Sequence, residues 1–153
     1  MLIHRLTAKE CRSVLARVRH GRLACARADQ PYIVPLSIYL DPEDNVVYGF
    51  STVGQKIRWM RDNPLVCLEV EEIVSRTQWT TVVAFGRYEE ISRTGPGAAL
   101  RHRAMELFAN QRDWWLPGTA TVSPGDQHPV PVVYRIRLGR MTGRRAERPP
   151  TSG

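Results

Sequence analysis

The run Val46-Val47-Tyr48-Gly49-Phe50-Ser51-Thr52-Val53-Gly54-Gln55-Lys56 leads into Ile57-Arg58-Trp59-Met60-Arg61-Asp62-Asn63-Pro64 and then Leu65-Val66-Cys67-Leu68-Glu69-Val70-Glu71. It reads as strand, turn of small residues, short helix, strand. The turn carries the Ser51 and Thr52 hydroxyls, and Gly54 lets a backbone approach a ligand closely. Lys56 falls in the first helical turn. A helix N-terminus presents free N–H groups and partial positive charge, so hydroxyls, amides and an ammonium gather where an anion binds readily. A polar turn with a solvated lysine is the other reading of the same residues.

Composition bounds what surrounds this stretch. A chain of 153 residues is one domain with room for a sizeable core. Its 42% hydrophobic and 24% charged residues are ordinary for a globular protein. No apolar run approaches the roughly 20 residues that span a bilayer, and Met1-Leu2-Ile3-His4-Arg5 is no signal-peptide core. A cytoplasmic protein without a membrane partner is expected. Cys11, Cys25 and Cys67 stand far apart and outside any CxxC pair, which suits a reducing compartment and argues against a zinc site.

The net charge of +7 is unevenly spread. From Val130 onward there are six arginines and a single acid, Glu147, so that segment supplies +5. The body is nearly neutral, and nucleic acid is not an expected partner. Only Lys9 and Lys56 are lysines among 22 basic residues. A point-charge lysine kept in an arginine-rich chain suits a phosphate contact.

Around the opening stretch, Thr7-Ala8-Lys9-Glu10 is a capping box that starts a helix over Ala8–His20, ended by Gly21. Strands are predicted over Arg22–Ala28 and Tyr32–Leu40, the second an edge or interrupted strand because Pro35 cannot donate to a ladder. Val46–Phe50, Leu65–Glu72 and Trp79–Ile91 follow, with a bulge or bend at Gly86. A helix over Ala98–Ala109 precedes a long irregular segment holding Trp114 and Trp115, and Val130–Leu138 is the last strand. Hairpin connections predict an antiparallel barrel decorated by helices. The domain is expected over 1–141, with a disordered basic tail over 142–153. No nucleophile elbow, paired carboxylates or GxGxxG is present, so any catalysis rests on a bound cofactor.

Several segments come in the order and spacing of a known family: Gly21-Arg22-Leu23-Ala24, Pro31–Leu36, Val47–Ser51 with Gly54-Gln55-Lys56, Asn63-Pro64 before Val66–Val70, Trp79–Val83 with Gly86-Arg87, and Tyr134-Arg135-Ile136 with Thr142-Gly143-Arg144. Over residues 4–145 the chain resembles the pyridoxamine 5'-phosphate oxidase-like superfamily, and within it the branch of flavin-nucleotide-binding proteins that includes the nitroimidazole-resistance proteins.

The resemblance implies an α+β fold, mainly β: a six-stranded antiparallel split barrel of the FMN-binding type. It implies a homodimer with FMN at the subunit interface and a flavin-dependent oxidoreductase acting on a small organic acceptor. Related split barrels bind deazaflavin or haem instead, and a non-catalytic flavin-storage role is the alternative to an enzyme. By position, Lys56 would bind the FMN phosphate with Ser51, Thr52 and Gln55. Pro35, Leu36 and Ser37 would run along the isoalloxazine ring, and Tyr48, Gly49 and Phe50 would form the next wall. Thr81 and Trp79 would lie near the flavin, and Trp114 or Trp115 would reach that of the other subunit. Two positions depart from the pattern: Gln55 replaces the oxidases' arginine, and Phe50 stands where many nitroimidazole-resistance relatives have histidine. The pyridoxal-phosphate-binding residues of the oxidases are not recognisable, so vitamin B6 oxidation is not implied.

Overall fold

The computed structural model describes residues 1–110 and 132–148. In chain order its elements are β1 (Leu2–Arg5), α1 (Ala8–Arg17), β2 (His20–Arg27), β3 (Gln30–Ser37), β4 (Tyr39–Asp41), β5 (Val46–Ser51), α2 (Gln55–Asp62), β6 (Leu65–Ser75), β7 (Gln78–Glu90), α3 (Gly97–Asn110) and β8 (Val132–Glu147). All strand pairs are antiparallel, in the order β3-β2-β6-β7-β8-β5-β4, with β1 also on β8.

The two end strands of that order explain the shape. β3 and β4 are consecutive, separated only by Ile38, yet they occupy opposite ends of the sheet. The sheet must therefore curl until its ends meet, as in a barrel, but the seam between them carries no ladder. Ile38 sends its N–H to the Arg19 carbonyl (2.8 Å), and no ladder joins the two ends of the sheet there. This is a split barrel. Among the described residues it has eight strands rather than the predicted six, because Tyr32–Leu40 breaks at Ile38 and because Leu2–Arg5 pairs with Arg144–Glu147.

Two apolar clusters fix the walls. Inside the barrel, Leu23, Leu68, Val70, Val82 and Ile136 pack with Cys11, Val14 and Leu15 of α1 and Ile57 and Met60 of α2. Outside, α3 lays Ala104 and Phe108 on Tyr39, Val46, Tyr48 and Val133. β5 is thus covered on both faces, which is why it reads as a continuous apolar run rather than an alternating one. Arg103 of α3 grips the buried carboxylate of Asp41 through two donors and also reaches Glu43 (2.8 Å). That contact holds the Asp41 carboxyl below its usual range.

The Thr7–Glu10 capping box opens α1 as expected, and β7 has its register shift between Ala84 and Gly86. Three predicted boundaries are corrected. Helix α1 stops at Arg17, not His20. Gly21 instead lies within β2, where a Cβ would stand 2.5 Å from the Glu69 carbonyl oxygen, so its role is close strand packing. Finally, β8 continues to Glu147 where a disordered tail from Thr142 was expected. Its arginines are exposed or half-exposed, while Gly143 and Ala146 are buried between β7 and β1, which captures this basic segment. No helix among the described residues is long and apolar enough to cross a membrane.

Candidate functional site

One pocket sits at the unpaired seam. It is lined by Pro35, Leu36 and Ser37 from β3, Tyr39 from β4, Gly49, Phe50 and Ser51 from β5, Tyr134 from β8 and Lys56 from α2. The seam explains the site: where a barrel stays open, strand ends and their side chains face a ligand instead of a ladder. Its cavity volume is about 70 Å³. Ligand pockets that enclose drug-sized molecules run to roughly 300–1,000 Å³, so this one is a shallow slot open on one side.

Its electrostatics are uncompensated. Lys56 is half-buried and has no ion pair or hydrogen bond among the described residues. Burial holds its ammonium below the ordinary lysine range. The neighbouring Cys25 thiol is no counter-ion, since burial pushes its own ionisation up and keeps it neutral. Lys56 opens α2, whose N-cap is Gly54, and no side chain caps that end. The first N–H groups of α2 thus point out beside a cation. Ser37 Oγ is fully buried without a partner, an arrangement that costs about 1–3 kcal/mol unless a ligand supplies the missing bond. Ser51 Oγ donates to the Thr52 carbonyl (3.0 Å) and keeps its lone pairs.

Shape completes the slot. Gly49 and Tyr134 are cross-strand partners, and a Cβ on Gly49 would stand 2.4 Å from Tyr134 Cζ. Glycine is needed here so that the tyrosine ring can lie flat on the β5 backbone. On the other side, Phe108 of α3 packs against Tyr39 and Phe50, each at a ring separation of 4.7 Å. Among the described residues, nothing in this lining is a carboxylate, imidazole or thiol.

Of the residues proposed from the sequence, the structure therefore gathers Pro35, Leu36, Ser37, Gly49, Phe50, Ser51 and Lys56 around one pocket. Thr52 and Gln55 are exposed on the turn and do not line it. Tyr48 shares a face of β5 with Phe50 but is sealed under α3, its hydroxyl buried without a partner, and does not line the pocket. Trp79 and Thr81 lie elsewhere in the same chain. They pair with Ala146 and Arg144, twelve and ten positions along β8 from Tyr134, which is roughly 30–40 Å of extended strand. Trp79 borders a separate cavity of about 400 Å³ with Arg17, Glu72, Thr80 and Arg145. Trp114 and Trp115 fall outside the described residues. Tyr39 and Tyr134 were missed. Tyr134 could have been suspected from a glycine in a strand of large residues, but only the β5–β8 register shows which ring fills that space.

Residues 7–145 match the pyridoxamine 5'-phosphate oxidase family. An uncharacterized protein of Rhizobium meliloti (strain 1021) is 38% identical over 151 residues, covering 95% of this chain and 97% of that one. The crystal structure of a FAD-binding protein from Mesorhizobium loti is 39% identical with a TM-score of 0.79, covering 96% of this chain and all of the other. The structure of a Bacteroides thetaiotaomicron protein assigned to 5-nitroimidazole antibiotic resistance shares the fold at 14% identity, with a TM-score of 0.64 over 97% of this chain and 93% of that one.

Proposed function

The chain belongs to the pyridoxamine 5'-phosphate oxidase family, and from that premise we propose that it is a homodimeric FMN-binding protein, an oxidoreductase acting on a small organic acceptor. The observation that carries this reading is Lys56: a half-buried ammonium without a counter-ion at an uncapped helix end. A phosphate supplies what is missing there. On these grounds the residues present fit a flavin nucleotide.

Within that reading, Lys56 and the first N–H groups of α2 hold the phosphate. Leu36 and Phe50 supply apolar walls, and Pro35, which has no N–H, leaves the edge of β3 unpaired beside the ring. Bound flavin would contribute reversible two-electron chemistry, and the described lining residues would bind it, orient it and exclude water. A slot of about 70 Å³ cannot enclose a three-ring system, so a second copy of the chain provides the missing wall. FAD binding by the Mesorhizobium loti relative supports a flavin-type cofactor.

Purified protein should be yellow, and heat-released ligand should have the mass of FMN. Recovery of FAD, a deazaflavin or haem would replace FMN in this reading. Failure of the purified chain to bind either FMN or FAD on titration would overturn it. Solution mass should be that of a dimer at micromolar concentration. Oxidation of NAD(P)H stimulated by a nitroaromatic or quinone distinguishes the oxidoreductase from a storage protein.

A further inference from the structure

Tyr134 was assigned no role by its position in the sequence, yet it is the most constrained polar group in the slot. It is 2% exposed. One face of its ring lies on the β5 backbone at Gly49, where no side chain would fit. The other side meets the Tyr88 ring at 5.3 Å. Tyr88 is itself pinned: its hydroxyl donates to Glu90 (2.9 Å), and Arg61 holds the same carboxylate (2.6 Å). The Tyr134 ring therefore cannot swing aside without displacing a bonded neighbour or the strand.

Its hydroxyl is the exception to this tight fit. It makes no hydrogen bond among the described residues. It is also not among the sealed unpartnered oxygens, unlike Ser37 Oγ and Tyr48 OH, so the opening it keeps is the pocket it lines. Burial raises the phenol's ionisation well above its ordinary range, leaving a neutral O–H donor at any physiological pH. An O–H donor in a nearly closed, rigid wall has one productive use: to meet an acceptor on whatever occupies the slot.

We infer that Tyr134 is a ligand-contacting, specificity-determining residue, whose fixed phenol donates a hydrogen bond to an acceptor oxygen or nitrogen on the ring system of the bound flavin. This deepens the flavin reading and rests on it. A ring without an acceptor at that place leaves the phenol buried and unpaired, so the slot discriminates against it.

The test uses the full chain freed of ligand and titrated with FMN. Tyr134→Phe keeps the ring and its packing and removes only the hydroxyl. It should unfold at the wild-type temperature, bind FMN about tenfold more weakly, and shift the visible absorption bands of the bound flavin. A residue that merely packs would leave those bands in place. Wild-type affinity and an unchanged spectrum in Tyr134→Phe, alongside weakened binding in Lys56→Ala, would overturn the role of Tyr134 while the flavin reading stood. If the wild-type chain binds neither FMN nor FAD, both fall together.

Discussion

Two cavities lined by the described residues differ in a way that size does not capture. The larger, of about 400 Å³, lies at the end of β6, β7 and β8. Its arginines are already matched: Arg17 holds Glu72 through two donors (2.7 and 2.5 Å), and Arg145 lies 3.9 Å from Glu10. The smaller, of about 70 Å³, lies at the seam and holds a cation without an anion, a buried hydroxyl without a partner and a phenol with a free donor. Folded proteins leave few buried polar groups without a partner. Unmatched chemistry gathered at one pocket, rather than volume, is what points to the smaller cavity as the candidate site.

Four changes break or sharpen that contrast. The largest effect should come from Gly49→Ala, since the new Cβ would overlap the Tyr134 ring at 2.4 Å. Overpacking of this kind costs about 1–3 kcal/mol or more, so both the melting temperature and FMN binding should fall, by calorimetry and titration respectively. A variant with wild-type values in both would mean that the Tyr134 ring is not held as described.

Next comes Lys56→Ala, expected to weaken FMN binding by about 1.5–3 kcal/mol at neutral pH. Its pH dependence has a definite sign. The protonated lysine binds the anion, and burial lowers its ionisation in the free protein. Affinity should thus begin to fall as pH rises through a value below the ordinary lysine range, and the Lys56→Ala variant should lose that dependence. A flat profile in the wild type would remove Lys56 from the phosphate contact.

A smaller effect is expected at the wall between the slot and α3. Asp41→Asn weakens the grip of Arg103, which is partly exposed, so the loss should be about 1 kcal/mol. Because the folded Asp41 carboxyl ionises below its unfolded range, its contribution is fully present above the unfolded value. It is lost as pH falls through the folded one. Acid unfolding monitored by circular dichroism should begin at higher pH in Asp41→Asn than in wild type, and coincident acid transitions would count against the contact.

The smallest change should be at the larger cavity. Arg17→Ala removes a half-exposed ion pair, worth up to about 1 kcal/mol, and should leave FMN affinity within about twofold. Marked loss of affinity there would show that this end of the barrel covers the slot of a partner chain, and the contrast between the cavities would have to be redrawn.

Much of the site was legible because its parts are local. Ser51 and Lys56 lie on one short turn, and Gly54 opens the helix that carries the lysine. Pro35 announced an edge strand, and β3 is one. Trp79 and Thr81 show the opposite case. Position in a family pattern set them beside the flavin, but the register of β7 on β8 carries them to the far half of the sheet within one chain. Tyr48 fails for a related reason. Strand alternation sets Tyr48 and Phe50 on one face, but not that α3 seals the first while the second reaches the slot.

By itself, then, the sequence determined what short-range physics controls: the Thr7–Glu10 cap, the bulge near Gly86, the strand–turn–helix with its lysine, and the antiparallel hairpins. Tertiary structure alone decided that β3 and β4 close on each other across Ile38 without pairing, that Leu2–Arg5 captures Arg144–Glu147, and that Tyr134 lies on Gly49. Each of these joins residues that are close in space through the curl of the sheet. That curl depends on the packing of every strand at once, which no local run of residues encodes.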